Sequence, residues 1–235
     1  MRVVAGRFRG RNIVAPEGSG TRPILDRAKV ALFDWLGSRL AMPGVLPPIA
    51  VLDLFCGGGS LGIESLSRGA AFVTFVDAGR AAVAALRSNV DQLKIGPSEA
   101  SVVSGPVEAA SIPKPPTGVY DLIFLDPPYR LTPDLSPGST LDRLLRRLGE
   151  DIPVAEEALL IWRHEIRHQT PERIIPNWVC VERRAWGHVA ITAYGRGEAG
   201  QSASVREDSA INESGRGDSA FADVENPPQS TGADP

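Results

Sequence analysis

From Ile49 to Asp126 the chain alternates short apolar runs with helical stretches, and that alternation leaves few folds open to it. Ile49 to Phe55 reads as a buried-type strand, followed by a glycine turn and a helix ending near Gly69. Phe72 to Asp77 is a second strand and Ala81 to Leu93 an alanine-rich helix, with further strands over Ala100 to Ser104 and Tyr120 to Asp126. Leu141 to Leu148 has helical spacing, and Ala158 to Trp162, Trp178 to Arg183 and Val189 to Tyr194 read as closing strands, the last two joined at Trp186-Gly187. Strands alternating with helices predict an α/β fold, a doubly wound and mostly parallel sheet. The closing pair predicts an antiparallel edge. Ahead of the sheet, Val3 to Val14 reads as a β-hairpin with bends at Gly6 and Gly10. Asp26 is placed to cap a helix reaching about Leu40, with Val30, Phe33 and Leu36 at helical spacing.

In such a sheet ligands bind outside the carboxyl ends of the strands, and the chemistry-bearing residues gather there. Asp53-Leu54-Phe55-Cys56-Gly57-Gly58-Gly59-Ser60-Leu61-Gly62 follows one strand and opens a helix. Glycines let the backbone turn tightly and approach a ligand, and the helix start offers free N–H groups. Asp77 ends the next strand, where a carboxylate can accept the ribose hydroxyls of a nucleoside. Gly57, Gly59 and Gly62 also satisfy the dinucleotide fingerprint. Asp53 just before the loop and Asp126 nearby argue against a pyrophosphate there. A nucleoside carrying a sulfonium and an ammonium tolerates those acids far better.

Asp126-Pro127-Pro128-Tyr129 stands at the mouth of the strand Tyr120 to Leu125. Proline has no N–H, so the two prolines leave a surface rich in carbonyl acceptors. Asp126 adds acceptors and Tyr129 a flat face, which together suit a planar amine such as the exocyclic amino group of a nucleobase. Asp and Pro are also ordinary turn formers, and an unremarkable strand-to-loop turn is the competing reading.

Arg22-Pro23, Asp26-Arg27, Leu32-Phe33-Asp34-Trp35-Leu36, the Asp53 to Gly62 run, Ser67-Arg68-Gly69-Ala70, the Asp126 to Tyr129 turn and the opening Arg-Val-Val-Ala-Gly-Arg-Phe-Arg-Gly-Arg carry a resemblance. Over about positions 1 to 195 the chain resembles the bacterial 16S ribosomal RNA guanine-N2 methyltransferases of the RsmD type. That resemblance implies a class I methyltransferase, Rossmann-like sheet, S-adenosyl-L-methionine as cofactor, and a guanine in small-subunit ribosomal RNA as target. It implies that Asp53, Phe55, Cys56, Gly57, Gly59 and Asp77 hold the cofactor, and that Asp126, Pro127, Pro128 and Tyr129 form the catalytic turn. The chain departs from the pattern at Ile24 and Val30, where the family usually has Thr and Glu. Ser104-Gly105-Pro106 stands where an Asp often contacts the adenine, so adenine contacts here fall to backbone or neighbours. Two other readings remain open: the same chemistry on adenine N6 in DNA, and a non-catalytic RNA-binding module with this fold.

Charge divides the chain into three expected parts. Positions 1 to 29 hold seven basic residues and two acids, and the arm over residues 1–20 carries Arg7, Arg9 and Arg11, which with Arg22 are the candidate contacts to RNA phosphates. The methyltransferase domain is expected over 21–195. From Arg196 to Pro235 three basic residues face eight acids with few large apolar side chains, so 196–235 is expected to be a disordered acidic tail. No apolar run approaches the roughly 18 residues of a membrane span. Two cysteines and three histidines form no metal-ligand cluster and no disulfide framework, which fits a reducing compartment. A cytoplasmic monomer that binds ribosomal RNA or the assembling small subunit, with no metal and no membrane partner, is the expectation. Cys56 is expected to pack rather than react, the histidines to lie on the surface or an edge strand, and Trp162, Trp178 and Trp186 to pack the closing strands.

Overall fold

A computed structural model describes residues 1–16, 24–128, 131, 134–175 and 177–196. Arg22, Tyr129, residues 17–20 and the tail from 197 onward lie outside the described residues. In chain order the elements are α1 (Asp26–Leu40), β1 (Ala50–Leu54), α2 (Ser60–Ser67), β2 (Phe72–Asp77), α3 (Arg80–Gln92), β3 (Ala100–Ser104), β4 (Tyr120–Leu125), α4 (Thr140–Glu150), β5 (Val154–Glu165), β6 (Arg173–Ile175), β7 (Trp178–Trp186) and β8 (Val189–Arg196).

The strands form one sheet in the order β3-β2-β1-β4-β5-β8-β7-β6. The first five pair in parallel, and β8, β7 and β6 add antiparallel pairs. This is the doubly wound α/β architecture expected from the alternation. The antiparallel portion is wider than a single edge strand, because β6 extends the closing pair. All five residues of β1 are buried, which is why the run reads as unbroken apolar sequence with one acid inside it.

Two cores sandwich the sheet. On one face α1, α2 and α3 supply Leu32, Phe33, Leu36, Leu61, Ile63, Leu66 and Leu86 against Val51, Val73, Phe75, Leu122 and Phe124. On the other face α4 buries Leu141, Leu144, Leu145 and Leu148 against Leu52, Leu54, Ile123, Leu125 and Trp162. Ser139 caps α4, its hydroxyl accepting the Asp142 N–H at 3.2 Å.

Two local expectations change. Asp26 is the first residue of α1 rather than its cap; Leu25 holds the cap position, and Asp26 instead pairs with Arg2 at 2.6 Å. Val30 faces solvent, and the buried stripe of α1 runs through Ala28, Lys29, Leu32, Phe33 and Leu36. The leading segment is not a two-stranded hairpin. A single antiparallel bridge joins Arg2 to Asn12, and a short 3-10 turn spans Gly6–Phe8. Anchors elsewhere in the fold set its shape. Val3 and Ile13 enter the first core, and the Glu64 carboxylate accepts the N–H groups of Val4 and Ala5 at 2.9 and 3.0 Å. At the other end of the fold, Arg196 completes β8 and donates to the Val154 carbonyl at 3.0 Å, so the strand runs one residue into the expected tail.

Candidate active site

Strand order reverses between β1 and β4: the chain moves outward to β2 and β3 on one side and to β5 on the other. The crevice above such a reversal is where open α/β sheets take ligands. Here the Asp126 N–H donates to the Leu54 carbonyl at 3.3 Å. One hydrogen bond thus stitches the root of the glycine loop to the root of the Asp-Pro-Pro turn.

The loop is built for this place. Phe55 has φ 57°, a left-handed conformation uncommon for a residue with a side chain, and it starts the turn out of β1. Gly57 follows with φ 55°, and its N–H donates to Asp77 Oδ2 at 2.8 Å. Asp77 Oδ1 accepts the Gly79 N–H at 2.8 Å, so this carboxylate ties the ends of β1 and β2 together. Gly62 is required by close packing: a Cβ there would lie 2.3 Å from the Phe75 ring and 2.9 Å from Asp53 Oδ2. Its N–H instead donates to Asp53 Oδ2 at 2.9 Å. At the helix start Gly59 holds the cap position of α2 in the left-handed region, and Asp53 Oδ2 takes the N–H of the third helical residue in place of a cap side chain. The Ser60 hydroxyl at that start has no hydrogen-bond partner.

Electrostatically the crevice is acidic. Asp53 is almost fully buried, and burial pushes its carboxyl up to about 8; the Gly62 N–H opposes this, while Asp126 and Asp77 add to it. Burial likewise raises Asp126, against the pull of Arg163 and with a further push from Asp77. The Cys56 thiol is buried and raised well above its ordinary range by the same desolvation, with Asp53 and Asp77 adding to it, which disfavours the thiolate. Among the described residues no group of His, Cys, Asp and Glu is arranged to hold a metal ion, and no helix is long and apolar enough to cross a membrane.

Sequence reasoning missed Arg163. In the β4–β5 register Leu125 pairs with Trp162, which sets Arg163 beside Asp126. Its Nη1 lies 2.6 Å from Asp126 Oδ2. A guanidinium at the end of the apolar run Leu159 to Trp162 was the available signal. His164, expected on the surface or an edge, is buried in the interior strand β5. Its ring contacts Thr192 Oγ1 at 3.0 Å, and burial holds its pKa down. Trp162 and Trp178 are fully buried in the closing strands.

The basic arm is not part of the crevice. Arg7 pairs with Glu99, immediately before β3, and Arg11 donates to the Gln92 carbonyl at the end of α3 at 3.4 Å. Helices return antiparallel to the strands, so both contacts lie toward the amino-terminal edge, opposite Asp126. Arg9, between them in the chain, is exposed. Only the following stretch climbs back to the site. Asn89 accepts the Val14 N–H at 2.7 Å and donates to the carbonyls of Val14 at 3.0 Å and Gly58 at 2.8 Å. Pro16 ends the described segment 3.9 Å from where a Gly57 Cβ would be.

Comparison with known proteins gives concordant results. The family described as conserved hypothetical protein 95 matches residues 1–195. The ribosomal RNA small subunit methyltransferase D of Escherichia coli K12 is 32% identical over 202 residues, covering 86% of this chain and 93% of the relative. The protein of the same name from Haemophilus influenzae is 31% identical, covering 83% and 93%. Among solved structures, the Escherichia coli protein yhhF superposes with a TM-score of 0.66 at 30% identity, covering 85% of this chain and 99% of that one.

Proposed function

The chain belongs to the conserved hypothetical protein 95 family, and on that membership we propose that it methylates the exocyclic N2 amine of a guanine in small-subunit ribosomal RNA. It is an S-adenosylmethionine-dependent ribosomal RNA methyltransferase with the class I, Rossmann-like sheet. Its partner is ribosomal RNA, free or in an assembling small subunit, met by a monomer in the cytoplasm. The observation that carries the reading is the junction of Asp126 N–H with the Leu54 carbonyl, which brings the acceptor-rich turn and the glycine loop to one crevice.

The residues present fit the cofactor. Asp53, Asp77 and Asp126 line the crevice, Arg163 pairs with Asp126, and burial drives the carboxyl of Asp53 up. An acid-lined cradle accepts a doubly cationic methionine moiety and rejects a pyrophosphate. At the start of α2 the Ser60 and Leu61 N–H groups, which precede the one held by Asp53, and the Ser60 hydroxyl, without a hydrogen-bond partner among the described residues, add donors for a carboxylate. Asp53, Phe55, Cys56, Gly57, Gly59 and Asp77 would hold it, with Cys56 contributing backbone only. Gly105, whose N–H bonds the Asp77 carbonyl at 3.0 Å, sets the neighbouring backbone against which an adenine would rest. Once bound, S-adenosylmethionine supplies an electrophilic methyl group.

The protein's part is to hold the amine. Guanine N2 is a weak nucleophile because its lone pair is delocalised into the ring. Asp126 and the Pro127 carbonyl accept its two N–H bonds and favour a pyramidal nitrogen with the lone pair released. Pro127 and Pro128 present no competing donor. Tyr129 stacks the base once it leaves its RNA context, worth about 1–3 kcal/mol. Positioning and electrostatics carry most of the rate.

A tritiated methyl-transfer assay with 16S RNA, small-subunit particles and duplex DNA tests this, followed by nuclease digestion and identification of the labelled nucleoside. N2-methylguanosine from either RNA substrate is expected. Label in DNA adenine would replace the reading, and RNA binding without any transfer would reduce the protein to a binding module.

A further inference from the structure

Resting on the reading of Asp126 as the acid that holds the amine, we propose that Arg163 is a positioning residue for methyl transfer: it fixes Asp126 as an anion and engages Oδ2, leaving Oδ1 to the substrate. The geometry is specific. Arg163 is buried to 4% exposure at the end of the apolar run Ala158 to Trp162, and its Nη1 donates to Asp126 Oδ2 at 2.6 Å from the adjacent strand. Alternation along β4 and β5 places both side chains on the α2 face of the sheet, the face that also receives Asp53. A buried ion pair is weak evidence of stabilisation, since apolar residues of similar volume serve a fold as well. This pair stands where the chemistry needs an acceptor.

The charged groups facing Asp126 are Arg163 from β5, Asp53 from β1 and Asp77 at the end of β2. Burial first, and then the Asp77 charge, favour the neutral carboxyl. Asp53 shows how strongly burial acts in this crevice, its carboxyl rising to about 8 against the pull of the Gly62 N–H. A neutral Asp126 would present an O–H donor to an amine that also donates. Arg163 is the group that opposes burial and Asp77 and favours the acceptor form. The planar guanidinium, unlike an ammonium, also fixes the carboxylate plane.

The test uses Arg163→Gln and Arg163→Lys in the full chain. It measures kcat against pH at saturating RNA, cofactor binding by calorimetry, and the titration of the Asp126 carboxyl carbon by 13C NMR. Arg163→Gln is expected to lower kcat roughly 100-fold near neutral pH, with recovery as pH rises and with cofactor affinity unchanged. The Asp126 midpoint should move up by about 1–3 pH units. A pH profile and a carboxyl midpoint that superpose on wild type would overturn the proposal. If the wild-type protein methylates no RNA, the proposed function fails, while the carboxyl midpoint still decides whether Arg163 sets the charge of Asp126. Should Arg163→Gln not fold, Arg163→Lys carries the test. A fall in kcat of about tenfold with a pH profile parallel to wild type supports it, and wild-type kcat at every pH refutes it.

Discussion

Two buried charge clusters share the α2 face of the sheet, and they are built on opposite terms. Around Glu64 two cations, Lys29 and Arg68, meet two acids, Glu64 and the half-exposed Asp34, which lies 3.6 Å from Arg68 Nη1. The Glu64 carboxylate accepts Arg68 Nε at 2.8 Å and the N–H groups of Val4 and Ala5, and Lys29 Nζ stands 3.7 Å away. Lys29 also donates to the Arg2 carbonyl at 2.9 Å, and Arg68 lies over the Phe33 ring at 4.9 Å while reaching the Gly44 carbonyl at 3.2 Å. One carboxylate thus gathers the leading segment, α1, α2 and the loop before β1. Two residues earlier on the same helix, Gly62 belongs to the other cluster, where Asp53, Asp77 and Asp126 gather and Arg163 is the cation among the described residues, paired with Asp126. The first cluster is balanced and closed. The second carries excess negative charge that a bound cation would relieve, so the difference separates charge that holds the fold from charge kept for a ligand.

The contrast breaks most visibly at Glu64. Replacing it by Ala leaves Lys29 and Arg68 buried without their anion and frees two backbone N–H groups, and should cost about 3–5 kcal/mol of stability in denaturant unfolding. A loss near zero would show that the balanced cluster is not structural. Asp126→Ala should show itself first in turnover. It should lower kcat by roughly 10²–10³-fold, about 2.7–4 kcal/mol, with cofactor affinity close to wild type. Near wild-type turnover in that variant would remove Asp126 from the mechanism.

A pH dependence sharpens the same point. The folded pKa of Asp53 is about 8, above its unfolded value of about 3.9. Between those values the folded state binds more protons than the unfolded one, so this residue's contribution to stability falls as pH rises from about 4 to about 8. Thermal melts of the ligand-free protein should show that decline, and Asp53→Asn should flatten it. Cofactor affinity should move the opposite way in the wild type, strengthening as Asp53 ionises. A slope identical in wild type and Asp53→Asn would mean the strain lies elsewhere.

How much of this could be read from the chain follows from where each determinant sits. β2 carries its own signal, a run of buried residues ended by an acid, and its limits matched. The glycine loop was legible because Gly62 cannot carry a side chain against Phe75. The balanced cluster was not. Lys29 and Glu64 occupy helix positions that helical spacing assigns to apolar residues, and only their mutual neutralisation makes them buried, so Val30 looked the better core residue. The leading segment escaped for a related reason. Its turn is held by Glu64, Ser67 and Asn89, all more than fifty residues away, and local alternation of arginines says nothing about them. Arg163 needed the β4–β5 register before its partner could be named.

The smallest effects are expected at the arm, and they bear on what its arginines are for. Arg7 spends its charge on Glu99 and stacks over Phe8 at 4.4 Å, an exposed arrangement worth at most about 1 kcal/mol of stability. Arg7, Arg9 and Arg11 lie toward the opposite edge from Asp126, so as phosphate contacts they would engage RNA well away from the modified base. Removing each should then leave kcat at saturating RNA unchanged and reduce the slope of log affinity against log salt by about 1. A large RNA, whose backbone can pass both edges of the sheet, should show this loss, whereas a short stem-loop carrying only the target guanine should not. Equal losses on both substrates would place the RNA over the arm and the crevice at once, which the edge-to-edge separation argues against; no loss on either would leave these arginines as a solvated surface.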